Sequence, residues 1–173
     1  MPRGPCLALL LAACAPGPAL QIFPSSSVLA SPDEPGERLV WTGRVLGADG
    51  APVAGATVRV HHADAAGLYN PPGVQASDAR LNGAATTGAD GAFRFETVRP
   101  AAYPDSSEPA HLHAEAGAPG FRGSYITLWF EGDPLLTETH RRHDARTPEI
   151  GIVTLARDAD GTWGFVRDFL LAR

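Results

Sequence analysis

Residues 86–98 read Thr86-Thr87-Gly88-Ala89-Asp90-Gly91-Ala92-Phe93-Arg94-Phe95-Glu96-Thr97-Val98, a turn dipeptide followed by alternating apolar and polar side chains. Asp-Gly is a strong turn signal. The alternation after it has the period of two that turns one strand face to a core and the other to solvent. The same grammar recurs on either side. Thr57-Val58-Arg59-Val60-His61-His62 alternates in the same way, and Leu39 to Leu46 ends at Gly47-Ala48-Asp49-Gly50. Downstream, Ala110 to Glu115 and Ser124 to Phe130 read as strands, the second stopped by Gly132-Asp133-Pro134. Glu149 to Ala156 and Thr162 to Leu171 flank Asp158-Ala159-Asp160-Gly161, a hairpin pattern. No long window carries helical periodicity with caps. The expected fold is all-β, a β-sandwich of mixed and antiparallel strands. Its two long loops, Asn70 to Ala85 and Ala101 to Pro109, are where binding groups belong on such a scaffold.

Size and charge narrow the function. The chain has 173 residues, which is one ordinary domain plus short ends. A body of roughly 140 residues buries about two-thirds of its unfolded surface and needs no disulfide to hold a core. The net charge of −5 comes without a basic run, so there is no electrostatic footprint for nucleic acid. All 14 basic side chains are arginine. That bias has the look of codon usage and lowers the weight of any single arginine.

Residues 1–14 read as an export signal. Arg3 gives a weak positive start, Leu7 to Ala13 a short apolar stretch, and Leu11-Ala12-Ala13-Cys14 resembles a lipobox with Cys14 as the lipidated residue. Ordinary cleavage nearer Pro18-Ala19 is the alternative, giving a secreted or periplasmic soluble protein. Both cysteines, Cys6 and Cys14, lie in this segment, leaving the body without thiols. Residues 15–38, rich in Pro, Ser and Ala, read as a linker or N-terminal arm, and 39–173 as the folded domain. The expected location is the cell envelope, with membrane contact through the lipid anchor only. Oligomeric state is not legible.

The chemistry concentrates in four residues. His111 and His113 form a His-x-His pair, whose side chains on a strand share one face with Cα atoms roughly 6.5–7 Å apart. Two neutral imidazoles at that spacing can meet one metal ion. Tyr69 and Tyr103, two of only three tyrosines, add hard anionic oxygen donors, which argues for Fe(III) before Zn(II) or Cu(I). Packing aromatics and a polar strand face are the plainer alternatives. His61 reads as a packing residue, His62 as structural or supporting the site, and His140 and His143 as part of a solvated loop or short helix. Tyr125 reads as a core or pocket-wall aromatic, and Asp90 and Asp160 as turn residues.

Several ordered blocks carry a family resemblance. They are Trp41-Thr42-Gly43-Arg44-Val45, Gly50 to Val58, His62-Ala63-Asp64-Ala65-Ala66-Gly67-Leu68-Tyr69, Thr86 to Phe95 and Thr97 to Pro104. Pro109-Ala110-His111-Leu112-His113, Phe130-Glu131-Gly132-Asp133-Pro134 and Asp160-Gly161-Thr162-Trp163 complete the set. Over roughly residues 39–171 the chain resembles the intradiol ring-cleavage dioxygenases. The resemblance implies a β-sandwich with a non-haem Fe(III), Tyr69 and His113 as equatorial ligands, and Tyr103 and His111 as axial ones. It implies that a catechol or hydroxyquinol-type diol binds as a dianion, displacing Tyr103, the catalytic tyrosine. The ring then opens with O2 between the two hydroxyl-bearing carbons.

Two positions depart from the family pattern. Glu108 stands where the family carries an arginine that stabilises charge on the bound ring, and Thr127 where it carries a glutamine. Arg122 or Arg99 is the candidate for the missing charge in the substrate pocket. The departures motivate a second reading, a lipoprotein that captures ferric ion or catechols without cleaving them. A third, from Gly43 to Val60 alone, is a metal-free transthyretin-like binding module.

Overall fold

The computed structural model describes residues 24–74, 78–144, 146–147 and 149–173. Cys14 and the signal reading therefore lie outside the described residues. The strands are β1 (Ser26–Val28), β2 (Arg38–Gly47), β3 (Thr57–His62), β4 (Leu81–Thr86), β5 (Ala92–Val98), β6 (His111–Gly117), β7 (Ser124–Phe130), β8 (Ile150–Val153), β9 (Ala156–Arg157), β10 (Trp163–Val166) and β11 (Phe169–Leu171). One short helix, α1 (Glu138–Asp144), lies between β7 and β8. One sheet runs β1-β5-β2-β10-β9, with β11 also on β2, and the other runs β4-β3-β6-β7-β8. Most pairs are antiparallel, while β1–β5, β2–β10, β2–β11 and β7–β8 are parallel.

The alternating residues behave as their pattern requires. Val58 and Val60 on β3, Leu112 and Ala114 on β6, and Leu128 and Phe130 on β7 are buried against the inner face of the other sheet. There Trp41 stacks on Phe165 at 5.4 Å and meets Phe93 edge-on at 5.3 Å. Truncating a buried aromatic of this kind costs roughly 3–5 kcal/mol. His62 is a polar exception on the inward side, as is its partner Thr97. Its Nδ1–H donates to the Ala63 carbonyl (2.6 Å) and its Nε2 accepts from the Thr97 hydroxyl of β5 (2.7 Å), which ties the two sheets together. Burial pushes its imidazole down to about 4, so the ring is neutral.

Four boundaries differ from expectation. Asn70 to Ala85 is not all loop, because β4 begins at Leu81; Leu81-Asn82-Gly83-Ala84-Ala85-Thr86 lacks the β-branched alternation that marks a strand in sequence. Residues 149–156 are not one strand but β8 and β9 in different sheets. Residues 162–171 break at Arg167, where the carbonyl comes so close to Gly43 that a Cβ there would lie 2.1 Å from it. Asp168 Oδ1 accepts from the Arg44 N–H at the same break. The arm read as 15–38 contains β1, paired with β5. The Asp158–Gly161 hairpin forms as expected: Asp158 Oδ1 accepts from the N–H groups of Asp160 and Thr162.

Candidate functional site

The outer face of the five-stranded sheet presents residues opposite in phase to the core set. Register puts His61 of β3 beside His113 of β6, His113 beside Thr127 of β7, and His111 beside Trp129 of β7. The His-x-His pair therefore stands on a central strand with neighbours on both sides. Over this face fold the two loops that bring the tyrosines.

The first loop is shaped by Asp64, a residue sequence reasoning did not single out. Its Oδ1 accepts from the N–H groups of Ala66 and Leu68 (2.9 and 3.0 Å), and its Oδ2 pairs with Arg80 at 3.2 Å. Its carbonyl accepts from the N–H groups of Gly67 and Ala101, both at 3.0 Å, so the second loop is tied to the first just before Tyr103. Gly67 has φ +78°, and a Cβ there would lie 2.0 Å from the Ala102 carbonyl oxygen. Only glycine lets the loops approach this closely.

The four expected residues meet. The Tyr103 hydroxyl donates to the Tyr69 oxygen at 2.7 Å and lies 2.9 Å from His111 Nε2, which is 3.1 Å from His113 Nε2. The far side of each imidazole is held by oxygen. His111 Nδ1 donates to the Pro109 carbonyl (2.7 Å), and His113 Nδ1 faces the hydroxyls of Tyr125 (2.5 Å) and Thr127 (3.2 Å). The Pro109 carbonyl fixes the His111 proton on Nδ1 and leaves its Nε2 lone pair inward, and the hydroxyls on His113 Nδ1 accommodate the same tautomer, the one a metal ligand needs. In that tautomer the two Nε2 lone pairs lie 3.1 Å apart and repel unless a cation lies between them. Donors bound to one ion at about 2.0–2.1 Å and at right angles lie about 2.8–3.0 Å apart, which matches the observed separations. The donor set therefore fits a metal ion.

The electrostatics agree. Burial, with His111 and His61 nearby, pushes the His113 imidazole down to about 4, which keeps it a neutral donor. Burial and the hydrogen bond from Tyr103 raise the Tyr69 phenol well above its ordinary value. A bound cation inverts that preference and favours phenolate. Among the described residues no three His, Cys, Asp or Glu side chains are placed to hold a metal, so a metal here depends on the tyrosine oxygens.

The supporting residues fall differently from expectation. Thr127 is at the cluster, on His113. Glu108 is beside it, but its carboxylate accepts from the Trp129 indole N–H at 3.0 Å. Arg122 is not brought to the cluster. Antiparallel pairing of Ala116 with Ser124 puts it on the turn at the far end of β6, where its N–H donates to the Ala172 carbonyl. Arg99 lies over Phe130 and Trp163 and pairs with Glu37. His140 of α1 packs edge-on against Trp129 at 5.0 Å.

His61, read as a packing residue, and Tyr125, read as a core or pocket-wall aromatic, both stand beside the donors. His61 lies 4.9 Å from the His113 ring and 6.0 Å from that of Tyr69. Tyr125 reaches His113 and is largely exposed rather than core. The signal for both was cross-strand register, which a single strand does not reveal. A cleft of about 520 Å³ opens beside the donors, lined by Tyr69 and His61 together with Arg59, Asp78, Asn82, Glu115 and Tyr125.

Comparison with known proteins yields consistent matches. The family model described as dioxygenase matches residues 24–169. Catechol 1,2-dioxygenase 1 of Acinetobacter lwoffii is 37% identical over 130 residues, covering 64% of this chain and 42% of that protein. Hydroxyquinol 1,2-dioxygenase of Rhizobium sp. (strain MTP-10005) is 33% identical over 174 residues, covering 82% and 57%. The solved dioxygenase domain of a dioxygenase carbohydrate-binding protein fusion from Streptomyces sp. SirexAA-E superposes with a TM-score of 0.66 at 27% identity, covering 91% of this chain and 94% of that one. The chain spans about half the length of the curated relatives it matches.

Proposed function

The chain belongs to the intradiol ring-cleavage dioxygenase family, and on that premise we propose that it holds a non-haem Fe(III) and uses O2 to open an aromatic ortho-diol of catechol or hydroxyquinol type between its hydroxyl-bearing carbons. One observation carries the proposal: two phenol oxygens and two imidazole Nε2 atoms converge within 2.7–3.1 Å of their neighbours. Tyr69, Tyr103, His111 and His113 are the residues that would hold the ion. When bound, ferric iron supplies Lewis acidity and a template for the diol.

The chain's own groups do the rest. Pro109 and the Tyr125–Thr127 pair fix the two imidazoles, so the histidines stay in place as substrate enters. Tyr103 is the assigned catalytic residue. It rides on a loop rather than a strand, and as the phenolate that a bound ferric ion would favour, its Oη would accept one proton from the incoming diol. Arg59 is the one arginine among the described residues lining the cleft, where it pairs with Glu115 at 3.7 Å. Asn82, Asp78 and Glu115 offer partners for a further ring hydroxyl, which favours a hydroxylated ring over an apolar one.

The test is oxygen uptake by iron-loaded protein over a panel of catechol, hydroxyquinol and chlorinated catechols. Uptake of one O2 per ring opened, greatest with the hydroxylated rings, supports the proposal. Colour change on mixing without oxygen consumption contradicts it and supports ferric or catechol capture, the reading that Glu108 and Thr127 motivate. The proposal extends to location: export and a lipid anchor on Cys14 in the cell envelope. Mass spectrometry of the mature N-terminus checks it, with a diacylglyceryl-modified Cys14 expected and cleavage near Ala19 the contrary result.

A further inference from the structure

We infer that Glu108 is a positioning residue, a carboxylate that sets the site loop through Trp129, rather than a charge in the wrong place. The inference rests on the ferric reading above but acts on the protein's own groups. Trp129 is 3% exposed and stands on β7 directly opposite His111. A buried indole N–H needs an acceptor. Glu108 Oε1 supplies it at 3.0 Å, and the His140 ring packs edge-on against the indole at 5.0 Å.

Three consecutive residues, beginning with this contact, pin the loop in sequence. Glu108 is held by Trp129, the Pro109 carbonyl accepts from His111 Nδ1 at 2.7 Å, and the Ala110 N–H donates to Asp133 Oδ2 at 3.3 Å. The carboxylate thus fixes the peptide whose carbonyl sets the His111 tautomer, on the loop that carries Tyr103. An arginine cannot take over this task, because a guanidinium has five donors and no acceptor. Placing the family's usual arginine here would orphan the Trp129 N–H and free the loop. Glutamine, with its amide oxygen, preserves the contact.

The experiment compares Glu108→Gln, Glu108→Ala, Glu108→Arg and Trp129→Phe in two ways. In metal-free protein, NMR of ring-labelled histidine follows solvent exchange of the His111 Nδ1 proton. In protein titrated with Fe(III), chelator competition and the visible charge-transfer band report affinity and geometry. Glu108→Gln is expected to keep slow exchange and bind iron within about twofold of the parent chain. Glu108→Ala, Glu108→Arg and Trp129→Phe are expected to speed the exchange and weaken iron binding by roughly 10–100-fold. Alanine at 108 combined with phenylalanine at 129 should be little worse than either alone, because the two residues act as one unit. Slow exchange in Glu108→Arg together with parent-like iron binding overturns the inference. Failure of the parent to take up iron overturns the ferric reading instead, and the exchange experiment still decides the role of Glu108.

Discussion

His111 and His113 stand two apart on a strand paired on both sides, whereas Tyr69 and Tyr103 ride on loops that fasten to each other before they reach the sheet. The histidine half is set by register. A slip there would move every side chain of β6 to the wrong face, core included, so the whole domain defends it. The tyrosine half depends on a few atoms: the Asp64 carbonyl on the Ala101 N–H, and the missing Cβ of Gly67. The two halves should therefore fail separately, the loops by losing tyrosine geometry and the sheet by losing hold of the imidazoles.

The sharpest break is Gly67→Ala. With φ at +78° and the Ala102 oxygen 2.0 Å from the new Cβ, the loops must part. Misplacement of about 1 Å costs on the order of 10²-fold in rate, so kcat/KM should fall at least that far. The tyrosinate-to-iron band should collapse while far-UV circular dichroism stays that of the parent. A variant that keeps its colour would show that the loops are held by something other than this approach.

Acid tests the sheet half. The folded pKa of His62 is depressed to about 4 from an ordinary 6.5, so the unfolded chain binds a proton that the native ring refuses. The His62 contribution to stability is complete above about pH 6.5 and should fall by roughly 3 kcal/mol as the pH drops toward 4. Chemical denaturation across that range measures it, and His62→Gln should flatten this part of the profile. An unchanged slope in that variant would assign the acid sensitivity elsewhere.

Tyr125→Phe is the smaller effect. It removes one of two oxygens on His113 Nδ1 and leaves Thr127 at 3.2 Å. Iron affinity should drop about 10-fold, with the band maximum nearly unmoved because neither of the proposed tyrosine ligands is touched. Chelator competition and the spectrum together separate this from the loop variant. A large band shift would mean that Tyr125 itself reaches the ion.

How much of this was legible follows from the range of each signal. Strand faces and His-x-His are short-range patterns, and β2, β3, β5, β6 and β7 lie where alternation put them. The two tyrosines stand out by their scarcity beside His-x-His, but their assigned roles come from the ordered family blocks, because no local pattern marks a tyrosine as a ligand. β4 was hidden by its Ala and Gly content, and the change of sheet between β8 and β9 depends on tertiary packing. His61 reads as a packing residue because its neighbours come from the strands beside it, and for the same reason Tyr125 reads only as a core or pocket-wall aromatic, with its contact to His113 hidden. Arg122 was placed near the pocket for want of a register that sends its turn to the far end of β6. Asp64 did carry a signal, an Asp ahead of Ala-Ala-Gly, the signature of a side chain that caps its own turn.

The central claim is that Tyr69, Tyr103, His111 and His113 hold one ferric ion. Its most direct test is the visible spectrum of protein beginning after Cys14, loaded with one equivalent of Fe(III) and read before and after anaerobic addition of catechol. The account expects a coloured protein whose tyrosinate band shifts when catechol binds, with the starting band altered in Tyr103→Phe. A colourless protein that retains no iron would contradict it.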